Sequence, residues 1–136
     1  MREMRPGTKY YGPPDAEAVA FWKKGIAPCF AGRKARGFVA EEDGRIVAML
    51  FVERIQHDPH IRPRKAAYVH SAYVRSSHRR NGIFRALAEE SERWAKSRRL
   101  PAMAAWVLVD NVEALAVWKK RGYVTSAEYL IRGPIA

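Results

Sequence analysis

The apolar residues of this chain keep two periods. Residues 38–42 and 45–52 read as β-runs joined at Asp43-Gly44, the strongest short hairpin signal, and residues 68–74 are again rich in β-branched and aromatic side chains. From Ile83 the period lengthens to that of a helix. Ile83, Leu87, Ala88, Trp94 and Ala95 fall largely on one side, while Arg85, Glu89, Glu92, Arg93 and Lys96 fall elsewhere. A shorter helix is predicted over residues 16–24, entered at Pro13-Pro14-Asp15, carrying Val19, Phe21 and Trp22, and stopped by Gly25. Residues 56–65 hold two prolines and two histidines without any period and read as a loop. Beyond the long helix, residues 102–109 read as a strand, 112–121 as a helix ended by Gly122, and 123–131 as a last hairpin-like pair. Antiparallel strands first, then a strand-helix-strand-helix-strand run, imply an α+β fold: a mixed sheet with helices on its faces.

Composition narrows this further. With 136 residues, 48% of them apolar, the chain is expected to form a single domain over residues 1–136. Residues 1–7 lack the apolar core of a signal peptide, and no apolar run reaches the length of a membrane span, so no membrane partner and a cytoplasmic location are expected. Cys29 stands alone, which leaves no internal disulfide and agrees with a reducing compartment; a small buried hydrophobe is its simplest role.

A net charge of +11 attracts anions, whether nucleic acid, acidic membrane or a phosphorylated cofactor. The basic residues are spread over 33–36, 54–65, 75–80, 96–99 and 119–121, mostly in loops and at helix ends, which argues against one nucleic-acid-reading helix. The turn Arg79-Arg80-Asn81-Gly82 lies between the strand at 68–74 and the helix from Ile83. A helix N-terminus offers unpaired N–H groups and the positive end of a dipole; here a glycine opens the backbone and two arginines add charge. The combination is a candidate phosphate cradle.

These residues resemble the GNAT superfamily of acyl-CoA-dependent N-acyltransferases over roughly residues 37–123. The family's Arg/Gln-x-x-Gly-x-Gly/Ala motif aligns with Arg79, Gly82 and Phe84, and Asn111-Val112-Glu113-Ala114-Leu115-Ala116-Val117-Trp118-Lys119-Lys120-Arg121-Gly122-Tyr123 resembles its second signature, Asn-x-x-Ala-x-x-x-Tyr-x-x-x-Gly-Phe/Tyr. The resemblance implies a mixed, mostly antiparallel central sheet flanked by helices and an N-acetyltransferase using acetyl-CoA. It implies that Arg79, Arg80, Asn81, Gly82, Ile83, Phe84 and Arg85 wrap the CoA pyrophosphate, that backbone of Ala72, Tyr73 and Val74 pairs with the pantetheine arm, and that Asn111 touches that arm. It further implies direct attack by a primary amine of a small molecule or peptide, without metal or covalent intermediate, in a protein that is commonly a homodimer. Two positions depart from the pattern. Phe84 stands where a second small residue is usual, and Trp118 replaces the tyrosine that in many relatives protonates the departing thiolate. An indole N–H is far too weak an acid for that task, so Trp118 is expected to pack beside the pantetheine.

No carboxylate announces itself as the general base. His70, with an ordinary pKa near neutrality, and Glu53, acting through water, are the two candidates; a hydrogen-bonded strand histidine and a solvated carboxylate are the plain alternatives. Tyr68 and Tyr73 either line the acceptor pocket or fill a sheet face. Asp110 suits a helix cap. His57, Asp58 and His60 lack a third convincing ligand for a metal, and none is expected. Trp22, Trp94 and Trp106 fit core stripes. Residues 25–36 and 55–64 would shape the acceptor pocket, with Glu41, Glu42 and Glu53 as a local acidic counterweight. A non-catalytic acyl-CoA-binding regulatory module remains the alternative to an enzyme, and a basic nucleic-acid-binding domain explains the charge but not the ordered motifs.

Overall fold

The computed structural model describes residues 16–26, 32–128 and 130–132. Chain contacts divide it into two compact units, Met1–Trp106 and Val107–Ala136. The first unit holds helix α1 (Ala16–Ile26), strands β1 (Ala35–Glu42), β2 (Arg45–Gln56) and β3 (Lys65–Val74), a short 3-10 turn at Ser76–His78, helix α2 (Ile83–Ser97) and strand β4 (Met103–Ala105). The second holds helix α3 (Val112–Lys120). The sheet order is β1-β2-β3-β4, antiparallel across the first three strands and parallel between β3 and β4. This is the mixed, mostly antiparallel sheet that was expected.

The β1–β2 turn is the two-residue hairpin that the sequence announces. Asp43 and Gly44 both take positive φ, 49° and 76°, the left-handed pair that matches the twist of the flanking strands. Register then fixes two faces. Gly37, Phe51 and His70 are cross-strand partners, as are Ala35, Glu53 and Tyr68, so these six share one face. Leu50, Val52, Ala67 and Val69 occupy the other and are almost wholly buried. Helix α2 lies against β1, β2 and β3 and buries Leu87, Ala88, Ser91, Trp94 and Ala95. Ala35 and Phe51, with Met49 against them, form a cluster apart from those helix residues, so α2 covers the Leu50–Val52 side. Burying a Leu or Trp side chain in such a layer is worth about 1.5–3 kcal/mol. Ser91 is tolerated there because its hydroxyl donates to the Ala88 carbonyl at 2.7 Å.

Several expectations need correction. α1 runs through Gly25 to Ile26, since a single glycine costs a helix only about 1 kcal/mol and does not have to end it. Phe21, one of the apolar positions of that helix, is 78% exposed. Cys29 and the entrance at Pro13-Pro14-Asp15 lie outside the described residues, as do the side chains of Val19 and Trp22. β4 is three residues long, not eight, and Trp106 just beyond it is 55% exposed. Residues 123–128 form no strand, and Val124 and Leu130 are 84% and 83% exposed. That segment lacks an Asn-Gly or Asp-Gly turn, and a lone two-stranded hairpin is marginal in water.

Candidate active site

β3 and β4 stay together for only three pairs, Ala67 with Met103, Tyr68 with Ala104 and Val69 with Ala105. On that side the β3 backbone from His70 to Val74 therefore has no neighbouring strand among the described residues. The same stretch carries a β-bulge. Met49 pairs with Tyr73 and Phe51 with His70, so Leu50 alone faces both Ser71 and Ala72, and Ser71 takes up the mismatch at φ 55°. An open, twisted strand edge is what a peptide-like arm pairs with.

This edge leads straight into the candidate phosphate cradle. The Ser76–His78 turn is pinned to the end of β1, where the His78 imidazole pairs with the Glu42 carboxylate through Nε2 and lies 2.8 Å from the Ser77 hydroxyl through Nδ1. Arg80 and Gly82 follow with φ of 65° and 78°, and Gly82 serves as the N-cap of α2. No side chain caps the helix, so none competes with an outside acceptor at its N-terminus. Nothing lies within 4 Å of where a Gly82 Cβ would stand, which leaves room for a bulky anion. Arg80 and Asn81 are exposed, Ile83 and Phe84 partly buried. The two arginines that flank the cradle are already engaged. Arg79 turns back, its Nε donating to the Val74 carbonyl at 3.0 Å and its guanidinium lying 5.7 Å from the Tyr73 ring centre. Arg85 donates to Glu89 one turn along at 3.0 Å. Arg79 is thus a clamp between turn and strand as well as a charge.

The two base candidates sit on one face. His70 stacks with Phe51, 6.1 Å away at 24°, and with Tyr68, 5.9 Å away at 21°. Its Nδ1 lies 3.1 Å from the Ser71 hydroxyl, and its Nε2 is buried with no partner among the described residues. Burial pulls the imidazole below its ordinary pKa of 6.5, against a smaller opposing pull from the Glu53 carboxylate. Burial and the same carboxylate raise the Tyr68 phenol above its ordinary value. Tyr68 therefore lines this polar face, whereas Tyr73 is occupied with Arg79. His57 is tied into its own loop, its Nδ1 2.7 Å from the Pro63 carbonyl. Sequence reasoning missed Gly37, Phe51 and Ser71. A glycine inside an apolar strand was a signal for close approach; nothing in the residue types foretold the bulge.

Asn111 and Trp118 belong to the second unit. Asn111, not Asp110, caps α3, its Oδ1 accepting from the Ala114 N–H at 3.3 Å. The cap is the residue directly before the first helical position, and Asp110 stands one place too early. Trp118 is 7% exposed and meets Tyr123 edge-on at 4.8 Å between ring centres. Gly122 lets the chain leave the helix at φ 96°.

A family model described as Acetyltransferase (GNAT) family matches residues 2–123. The chain belongs to the GNAT family of acetyltransferases. No curated protein matches it significantly. Solved structures share the fold. The apo aminoglycoside 6'-N-acetyltransferase AAC(6')-IG of Acinetobacter haemolyticus is 22% identical, over 91% of this chain and 85% of that one, with a TM-score of 0.72. AAC(6')-Iy bound to the bisubstrate analogue CoA-S-monomethyl-acetylneamine is 18% identical over 93% and 84%, TM-score 0.69. A protein of Clostridium acetobutylicum, described as a predicted acetyltransferase and solved with acetyl-CoA, is 20% identical over 96% and 79%, TM-score 0.67. This GNAT protein is accordingly a member of an acetyltransferase family. Among the described residues, no helix is long and apolar enough to cross a membrane.

Proposed function

We propose that this GNAT protein transfers an acetyl group to a primary amine of a small molecule or peptide by direct attack, with both substrates bound together. The observation that carries the proposal is the continuity of the open β3 edge with the uncapped, left-handed turn at Gly82. Acetyl-CoA, when bound, supplies an acetyl group already activated as a thioester. The N-terminal turn of α2, with Arg80, holds the pyrophosphate, and the backbone of Ala72 and Tyr73, on the side where β4 has parted from β3, holds the arm. Asn111 and Trp118 are assigned to that arm on the motif alone.

The chain's remaining task is to take a proton from the incoming amine. His70 suits it: burial keeps the imidazole neutral near pH 7, and its Nε2 has no partner. For Nε2 to accept, Nδ1 carries the hydrogen and donates to Ser71. Glu53 then stabilises the imidazolium across the same face and draws in a cationic amine. Phe51 and Tyr68 fix the ring plane. No metal enters this scheme, because positioning supplies much of the acceleration.

Calorimetry with acetyl-CoA tests the cofactor half. Binding by the wild type, weakened at least tenfold in Arg79→Ala and Gly82→Asp, is expected; equal binding in all three would overturn it. Release of free thiol with a panel of amines tests the transfer. Binding without release would favour a regulatory module instead, the reading that Trp118 in place of the acidic tyrosine supports.

A further inference from the structure

The chain carries +11 charges, and the cofactor turn uses few of them. Topology decides where others gather. β1, β3 and β4 begin, and β2 ends, at one end of the sheet, held together by Arg54 N–H to the Lys34 carbonyl at 2.7 Å, His57 N–H to Arg64 at 2.7 Å and Ala67 N–H to Ala102 at 2.8 Å. α2 starts at the opposite end, after the Gly82 turn, and returns. Its last turn joins, through Leu100 and Pro101, to Ala102 beside β3. Basic groups from three dispersed sequence clusters therefore meet. Arg36 sits opposite Val52, Arg54 opposite Ala67 and Lys65 opposite Gln56, all on the face that α2 covers, while Lys96, Arg98 and Arg99 close the helix. All six are exposed. None has a carboxylate partner among the described residues; Arg98 rests on the Trp94 ring at 5.8 Å. The nearest acidic groups along the chain are Glu41 toward the far end of β1, Glu53 on the other sheet face, Asp58 in the loop and Glu92 a turn before Lys96.

We propose that this end, opposite the phosphate cradle, is a second anion-binding surface and that its partner is a nucleic-acid backbone. Arg36 is level with Val52 and Val69, four residues along β3 from Lys65, and Arg54 lies midway between them; with strands about 4.8 Å apart and about 3.3 Å per residue, the three stand in steps of roughly 8 Å. A row of exposed cations with steps of that size matches a polymer that carries a charge every few ångströms. Four of the six are arginines, whose guanidinium forks take phosphate oxygens two at a time. A lipid surface is a poorer fit, because stable attachment needs apolar side chains beside the basic ones; among the described residues of the loop before β3, Ile61, at 40% exposure, is the exposed large apolar group. The proposal is independent of acetyl transfer.

The test uses the full chain with fluorescently labelled single-stranded RNA and duplex DNA, and with phosphatidylserine-containing vesicles, over about 50 to 200 mM salt. Nucleic acid should bind with a log-log salt slope of roughly −3 to −5, and saturating acetyl-CoA should not displace it. Arg36→Gln with Arg54→Gln, and separately Lys96→Gln with Arg99→Asn, should each lower the slope by about 1–2 and leave acetyl-CoA binding unchanged. Asparagine suits Arg99, whose φ is 55°. Absence of salt-sensitive retention overturns the proposal. So does displacement by acetyl-CoA with no effect of either pair, which would assign the binding to the cradle. Binding of vesicles in place of nucleic acid would overturn it in favour of a membrane surface.

Discussion

Gly37 lies directly against the ring of Phe51: a Cβ built on the glycine would stand 2.6 Å and 2.8 Å from two of the ring carbons. The two are cross-strand partners, and the other side of Phe51 faces His70. Glycine is thus required on β1 so that an aromatic ring can lie flat across the strand and press on the candidate base.

Gly37→Ala should therefore cost about 1–3 kcal/mol of folding stability, the price of overpacking. Phe51→Leu in the same chain should recover part of that, with a coupling of at least ~0.5 kcal/mol. Urea denaturation of both single variants and the double variant measures it. Strict additivity would mean that the ring and the glycine do not communicate.

His70 titrates below its ordinary pKa of 6.5 in the folded protein. Above pH 6.5 the ring is neutral in both states and its titration costs nothing. As pH falls through that value the unfolded chain takes up the proton first, so stability declines with falling pH until His70 is protonated as well. His70→Gln should flatten this part of the stability curve. In the enzyme, the acid limb of the rate profile should lie below pH 6.5 and disappear in the same variant, with a rate loss of about 10²–10⁴-fold.

Gly82 separates backbone strain from charge. Gly82→Ala places a Cβ at φ 78° but in open space, so the cost is conformational, about 1 kcal/mol, with modest change in acetyl-CoA binding. Gly82→Asp tolerates that conformation better and caps α2, so stability should be closer to wild type. Its carboxylate meets the pyrophosphate, and acetyl-CoA affinity should fall at least tenfold by calorimetry.

Arg79 distinguishes clamp from charge. Lysine keeps the charge but cannot reproduce the planar Nε contact to the Val74 carbonyl. Arg79→Lys should resemble Arg79→Ala in acetyl-CoA affinity, each losing at least tenfold, or about 1.4 kcal/mol, near the upper end of what one hydrogen bond contributes. Full affinity in the lysine variant would reduce Arg79 to a counter-ion.

What the sequence made legible was local. Asp43-Gly44 set the hairpin, the change of period at Ile83 placed α2, and Gly82 marked its start, because each signal is written in a few adjacent residues. His70 and Glu53 were found as separate candidates, but only cross-strand register brings them to one face. The shortness of β4, the irregular course after Gly122 and the exposure of Trp106 and Phe21 depend on which neighbours exist to bury an apolar residue. Asp110 and Asn111 both make good caps, and only the first helical residue decides between them. The gathering of Arg36, Arg54 and Lys65 with Lys96, Arg98 and Arg99 follows from the return of α2 and is hidden in a linear count of charge.

The parting of β3 from β4 after Val69 also has a defensive side. A bare strand edge is a template on which a second chain can polymerise, and flatness is what makes it dangerous. The left-handed kink at Ser71 bends the edge out of plane, and the guanidinium of Arg79 occupies the Val74 carbonyl at its far end. The edge thus stays open to a slender ligand while being misshapen for a neighbouring strand.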